Sequence, residues 1–285
     1  MTNKTKGIIA LVIASLGFAF MSIFVKKAGD LPVAQKVMFR NGVSMIVAFI
    51  MVTYNKDSYY GDKEHRKLLL VRSTFGTIGM LLFFYSISAI EVSADANALN
   101  KLSSFFLIFF SFLFLKEKVK FTQIIAIIIA FLGSLLIIKP SFNFDLLPYI
   151  TSILAAGFAG AAYTVLRILG QKEKYYTVVL FFSTFSCLVL LPLVIIQYQP
   201  MSLQQVLFLV LTGLAATVGQ FGTTIAYKFA PAKDISIFNY SNVVFVALLA
   251  IPFLGELPDY ISIIGYLVIF GASFYMFKDN NKQEI

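Results

Sequence analysis

The chain has 285 residues, of which 59% are apolar and only 13% charged, with 23 Lys and Arg against 14 Asp and Glu and a net charge of +9. Soluble domains average about 25% charged, so this composition excludes a disordered chain, a soluble nucleic-acid-binding module and a conventional soluble enzyme. What remains is an all-α polytopic membrane protein, with the lipid bilayer as its solvent and the basic excess read as a cytoplasmic rim.

The first element follows Met1-Thr2-Asn3-Lys4-Thr5-Lys6 and is an apolar run over 7–27. It exceeds a signal-peptide core and no small-residue cleavage site ends it, which predicts a retained helix. Further apolar runs cover 35–53, 68–90, 95–115, 121–139, 147–167, 176–196, 204–225, 234–254 and 259–277. Together they predict ten transmembrane helices, since crossing the hydrocarbon takes roughly 20 residues of helix. Barrel strands would be about 10 residues long with alternating polarity. His65, the one histidine, falls in a charged loop and Cys187 is the one cysteine, so neither a disulfide nor a metal site is expected. With the N-terminus cytoplasmic, 17 of the 23 Lys and Arg lie inside, among them Lys63, Arg66, Lys67 and Arg72. Five lie outside (Lys26, Lys27, Lys36, Arg40 and Lys139), and Lys101 is left within a helix. Both termini are therefore expected to be cytoplasmic.

The second half repeats the first. Asp95, Asn100 and Glu117 stand at offsets 0, 5 and 22, and Asp234, Asn239 and Glu256 stand at the same offsets. Phe114-Leu115-Lys116-Glu117 is answered by Phe253-Leu254-Gly255-Glu256. The halves, 1–140 and 141–285, hold five predicted helices each. An odd number inverts the second half relative to the first. Inverted repeats suit alternating access, because exchanging the conformations of the halves turns an outward-open state into an inward-open one.

Polar residues inside apolar helices are the candidate binding groups. Arg40, near the outer end of the second helix, either snorkels or binds a carboxylate or phosphate in bidentate fashion. Tyr85 lines a pocket or packs with its hydroxyl satisfied. Asn97, Asn100, Lys101 and Ser104 share one face at i, i+3, i+4 and i+7. Lys101 either snorkels or pairs with Glu91 or Asp95, or else it attracts an anionic solute. In the repeat mate, Asn239 corresponds to Asn100, and Asn242 is its i+3 neighbour. Tyr163 and Gln220 are further candidates, although Gly219 and Gly222 beside Gln220 equally suggest close helix packing. Asp95 and Asp234 are expected to begin their helices and cap free N–H groups. Glu117 and Glu256, next to short turns, are expected to lock loops or cap helices. No phosphate-cradling loop, HExxH motif or nucleophile elbow occurs, so no enzyme activity, cofactor or metal is implied.

The order and spacing of these motifs resemble the EamA-like branch of the drug/metabolite transporter superfamily, over about residues 7–277. Leu115-Lys116-Glu117 and Leu254-Gly255-Glu256 resemble its Leu-Gly-Glu signature, and Arg40 stands where the family often has an Arg. Ser104 and Val243 occupy positions where it often has Pro. The resemblance implies secondary active transport of a small-molecule substrate and coupling to protons. The length and compact loops suggest a bacterial cytoplasmic membrane, and no coiled coil or long interface helix compels more than a monomer or weak dimer. Lys101, Arg40 and the Asn residues point to an amino acid or other carboxylate-bearing solute, and the resemblance to metabolite exporters implies the export direction. A cationic amine or drug is the alternative, followed by a non-transporting scaffold or a lipid flippase component.

Overall fold

The computed structural model describes residues 2–115, 121–138, 146–169, 172–230 and 235–281. Glu117 and Asp234 lie outside the described residues, as do Lys116 and Lys139. The helices are α1 (Asn3–Lys27), α2 (Val33–Asn55), α3 (Arg66–Ala89), α4 (Ser93–Asn100), α5 (Ser103–Leu115), α6 (Phe121–Ile138), α7 (Leu147–Leu169), α8 (Tyr175–Ile196), α9 (Leu203–Phe229), α10 (Ser241–Leu254) and α11 (Tyr260–Asn281). Among the described residues, 7 helical stretches are long and apolar enough to cross a membrane. Three shorter apolar helices, Ile124–Ile137, Phe238–Leu254 and Tyr260–Tyr275, accompany them.

Local chemistry starts and stops these helices. The Thr2 hydroxyl accepts the Thr5 N–H at 3.2 Å to open α1. Ser202 and Gln205 form a reciprocal capping box at α9. Gly255 ends α10 with φ 70°, a left-handed turn that favours glycine.

The bundle is apolar outside and carries many polar side chains within its apolar core. Ser15, Ser22, Asn41, Ser44, Ser86 and Asn242 are buried, whereas Ile46, Phe49, Phe112, Leu188 and Leu248 are exposed. In water that surface would be unstable; in lipid it costs nothing, and buried hydroxyls bond between helices instead. Ser44 and Thr217 meet at 2.8 Å, and Ser22 donates to Asn97 at 3.2 Å.

Helix pairing has an internal two-fold symmetry. Helix α1 packs on α9, and its counterpart α7 packs on α3. Contacts of α1 with α10 are matched by those of α7 with α5, and contacts of α2 with α9 by those of α8 with α3. The pairs α2–α8 and α6–α11 map onto themselves. Close backbone approach is part of this packing. A Cβ at Gly160 would lie 2.5 Å from Phe106 Cβ and 2.9 Å from both Leu107 N and Ser103 O. Gly160→Ala is therefore expected to push α7 off α5 and to cost about 1–3 kcal/mol as overpacking. A lowered thermal midpoint in detergent checks this, and an unchanged midpoint would show that the contact yields.

One expectation needs correction. The run over 95–115 is not one regular helix. It breaks at Lys101-Leu102 between α4 and α5, where Leu102 N, Ser104 N and Phe105 N each bond three residues back. The second half does the same: a 3-10 turn, Ser236–Tyr240, precedes α10. No Pro or Gly marks either place. The cause is a cluster of polar side chains that compete for backbone groups. Asn97 Nδ2 donates to Ser93 O at 2.9 Å, and the Tyr240 hydroxyl donates to Lys101 O at 3.2 Å.

Candidate functional site

Both breaks open onto one internal cavity of about 100 Å³, room for several waters. Its polar wall is built by Arg40 from α2, Arg72 from α3, Asn97, Asn100, Lys101 and Ser104 around the first break, and Tyr163 from α7. Gln220 and Tyr227 of α9, Asn239 of the second break and Asn242 of α10 complete it, with Phe18 and Phe182 among the apolar residues. The cavity thus draws together every substrate-binding candidate from the sequence except Tyr85. That residue is nine positions from Gly76, which faces the cavity; at 3.6 residues per turn this is half a turn round α3.

Arg40 is wholly buried. Its Nη1 donates to Asn41 Oδ1 at 2.5 Å and its Nη2 to Gln220 Oε1 at 3.2 Å. Asn41 is held in turn, donating to Ser186 Oγ at 2.7 Å. These partners are neutral, so they orient the guanidinium without cancelling its charge. Arg40 Nε has no partner.

Arg72 is the residue that sequence reasoning missed. It belongs with the cytoplasmic rim on a count of basic residues, yet it is buried and faces the cavity. Its guanidinium carbon lies 3.8 Å from the centre of the Phe182 ring, and that of Arg40 lies 5.7 Å from the same ring. Arg72 Nε and Nη1 have no partner. The signal was present: Arg72 lies inside the apolar run 68–90, four residues before Gly76.

Lys101 carries its ammonium at the break. Among the described residues it has no acidic partner, so neither pairing with Glu91 nor pairing with Asp95 is seen. Asp95 instead accepts from the Tyr266 hydroxyl of α11. It sits in the first turn of α4, but Val92 is the cap residue there and caps with no side-chain bond, which corrects the expectation that Asp95 caps this helix. The helix begins two residues earlier than expected, so the carboxylate is already inside the turn.

The asparagines divide by what their amides already hold. Asn97 is spent structurally, on Ser93 O and Ser22 Oγ. Asn242 donates to Ser15 O at 3.0 Å and leaves Oδ1 unpartnered. Asn239 Nδ2 donates to the Tyr227 hydroxyl at 3.1 Å.

Away from the cavity, Glu256 ties three chain segments together. It accepts from Ser93 N at 2.6 Å and Ser93 Oγ at 3.2 Å, and pairs with Lys26 Nζ at 2.7 Å. Lys26 also donates to Ile90 O at 2.8 Å and to Glu91 O. The carboxylate after α10 thus caps α4 and holds the end of α1.

Comparison with known proteins agrees with this architecture. The pseudopaline exporter CntI of Pseudomonas aeruginosa is 30% identical over 266 residues, covering 92% of this chain and 93% of that one. An uncharacterized transporter of Helicobacter pylori is 30% identical over 262 residues, covering 88% and 87%. Human solute carrier family 35 member G1 is 25% identical, covering 94% of this chain and 77% of its own length. A solved crystal structure superposes with a TM-score of 0.70 over 99% of both chains at 14% identity, which shows the fold. The model of the EamA-like transporter family matches twice, over residues 5–139 and 146–278. The chain is therefore a multi-pass membrane transporter of a small solute and not an enzyme. It belongs to the EamA-like transporter family, within the drug/metabolite transporter superfamily.

Proposed function

We propose that this protein is a secondary active carrier that exports a small carboxylate-bearing metabolite, such as an amino acid, across a bacterial cytoplasmic membrane. On this reading ten spans form two inverted halves, 1–140 and 141–285, with both ends cytoplasmic. One observation carries the substrate class. Arg40, Arg72 and Lys101 face one internal cavity, and no carboxylate among the described residues lines it. Buried charge of one sign needs an opposite charge to be stable, and a solute anion supplies it. A cationic amine would meet three like charges. The printed names of the relatives, exporter and transporter, support carriage.

Alternating access supports the mechanism. In this conformation the cavity is narrow, and on this reading the helices part to load it. The paired breaks at Lys101-Leu102 and Ser236–Tyr240 are where each half has given up regular helical bonds and bends with least loss. Proton coupling, implied by the family likeness, finds no acidic relay among the cavity's described residues.

The test is a thermal-unfolding screen of the detergent-purified protein against amino acids, organic acids, amines and nucleotides at two pH values. A ligand of the folded state raises the midpoint in a concentration-dependent way. Carboxylate-bearing solutes are expected to do so. A rise confined to amines overturns the substrate class.

A further inference from the structure

The two halves share a backbone plan but not a charge. Arg40, Arg72 and Lys101 all come from the first half. The residue that corresponds to Lys101, 139 positions on, is Tyr240, just as Asn239 corresponds to Asn100. No Lys or Arg occurs between residues 175 and 227, where counterparts of Arg40 and Arg72 would stand. Asn100 is duplicated as Asn239 and the cations are not. Symmetry of the fold therefore does not explain them.

Arg40 and Arg72 share the Phe182 ring, at 5.7 Å and 3.8 Å from its centre, so two like charges meet at one side chain. Lys101 comes from the first break, on the wall that Asn100 and Asn239 also line. Arg72 Nε and Nη1 and Arg40 Nε are buried donors without acceptors. Leaving such donors unpaired costs about 1–3 kcal/mol each. A carboxylate between the two guanidiniums supplies oxygens to both and relieves their repulsion. One carboxylate cannot balance three cations, and a second anionic group meets the ammonium of Lys101.

Resting on the carboxylate-carrier reading above, we infer that the cavity is a two-subsite receptor for a solute with two anionic groups, a dicarboxylate or a dicarboxylic amino acid. One carboxylate lies between Arg40 and Arg72. The other lies at Lys101, where the Asn100 and Asn239 amides are at hand. Phe182 backs the first subsite.

The experiment uses the full chain in detergent and, as probes, the unbranched diacids from malonate to adipate with their monomethyl esters. Thermal midpoints are read against concentration. At least one diacid is expected to act at a concentration tenfold or more below that of its monoester, equivalent to about 1.4 kcal/mol. Arg72→Gln and Lys101→Met are each expected to reduce that diacid to the monoester's level. Arg72→Lys and Lys101→Arg keep the charge and should keep part of the preference, which separates loss of binding from loss of folding. Equal effects of diacid and monoester overturn the two-subsite inference and leave the carboxylate carrier standing. No stabilisation by any diacid also overturns it. Stabilisation by amines alone overturns both readings.

Discussion

Arg40→Met is expected to lower flux of the carried solute at least a hundredfold while shifting the thermal midpoint of the empty protein by only a few degrees. The two effects separate because the guanidinium is buried with neutral partners. Apolar replacement of a buried ion is often close to neutral for stability, since its desolvation penalty disappears with it. Against that, Gln220 Oε1 and Asn41 Oδ1 lose their donor, at about 1 kcal/mol or somewhat more each. Anion binding has no such compensation: a hundredfold loss is about 2.7 kcal/mol, within reach of one charge-assisted bidentate contact. Arg40→Lys is not expected to restore flux, because one ammonium does not reproduce the planar fork that reaches Asn41, Gln220 and a ligand together. Solute counterflow in proteoliposomes measures this. Retention of flux in Arg40→Met would remove Arg40 from the binding wall.

The second large effect is expected at Glu256. Glu256→Ala removes an α4 cap and the ion pair with Lys26 at once. Loss of a cap costs about 1 kcal/mol, and breaking a buried pair about 3–5. The carboxylate is 9% exposed and the Lys26 side chain 21%, so about 2–3 kcal/mol in total is reasonable. Glu256→Gln keeps the acceptor for Ser93 N but loses the charge, and should fall between Ala and the parent. Because the three segments joined are the end of α1, the start of α4 and the turn before α11, the variant should also open this end of the bundle. A cysteine placed at Ser104, in an otherwise cysteine-free background (Cys187→Ser), reports the opening by its rate of labelling with a membrane-impermeant reagent. A labelling rate unchanged by Glu256→Ala would show that the clamp is static.

Much of the architecture was legible because lipid imposes a simple rule. Long apolar runs must be helices, and the shared offsets of Asp95, Asn100 and Glu117 with Asp234, Asn239 and Glu256 exposed the repeat. The Asn100–Asn239 correspondence led directly to the cavity. Three features were hidden for physical reasons. Arg72 was masked by its neighbours Arg66 and Lys67, which made a rim reading natural, although its own helix face turns inward. The helix breaks carry no Gly or Pro; they arise from hydroxyl and amide side chains bonding backbone groups, and their partners, such as Tyr240 for Lys101 O, are remote in sequence. The role of Glu256 was foreseen as a lock, but its partners Lys26 and Ser93 lie in the other half and no local pattern names them. Tyr85 does not line this cavity; aromatic identity says nothing about which side of α3 it occupies.

That the buried cations belong to one half has an electrical consequence. A charge moved fully across the membrane gains or loses about 2.3 kcal/mol per 100 mV. With the proposed dianion bound, two of the cavity's three positive charges are cancelled, and the loaded carrier feels the voltage about a third as strongly as the empty one. The empty carrier still bears Arg40, Arg72 and Lys101. An inside-negative potential then biases it toward whichever state places those charges electrically nearer the cytoplasm. On the export reading proposed above, that is the state that faces the next substrate, so membrane voltage acts more on the return of the empty protein than on the passage of its cargo.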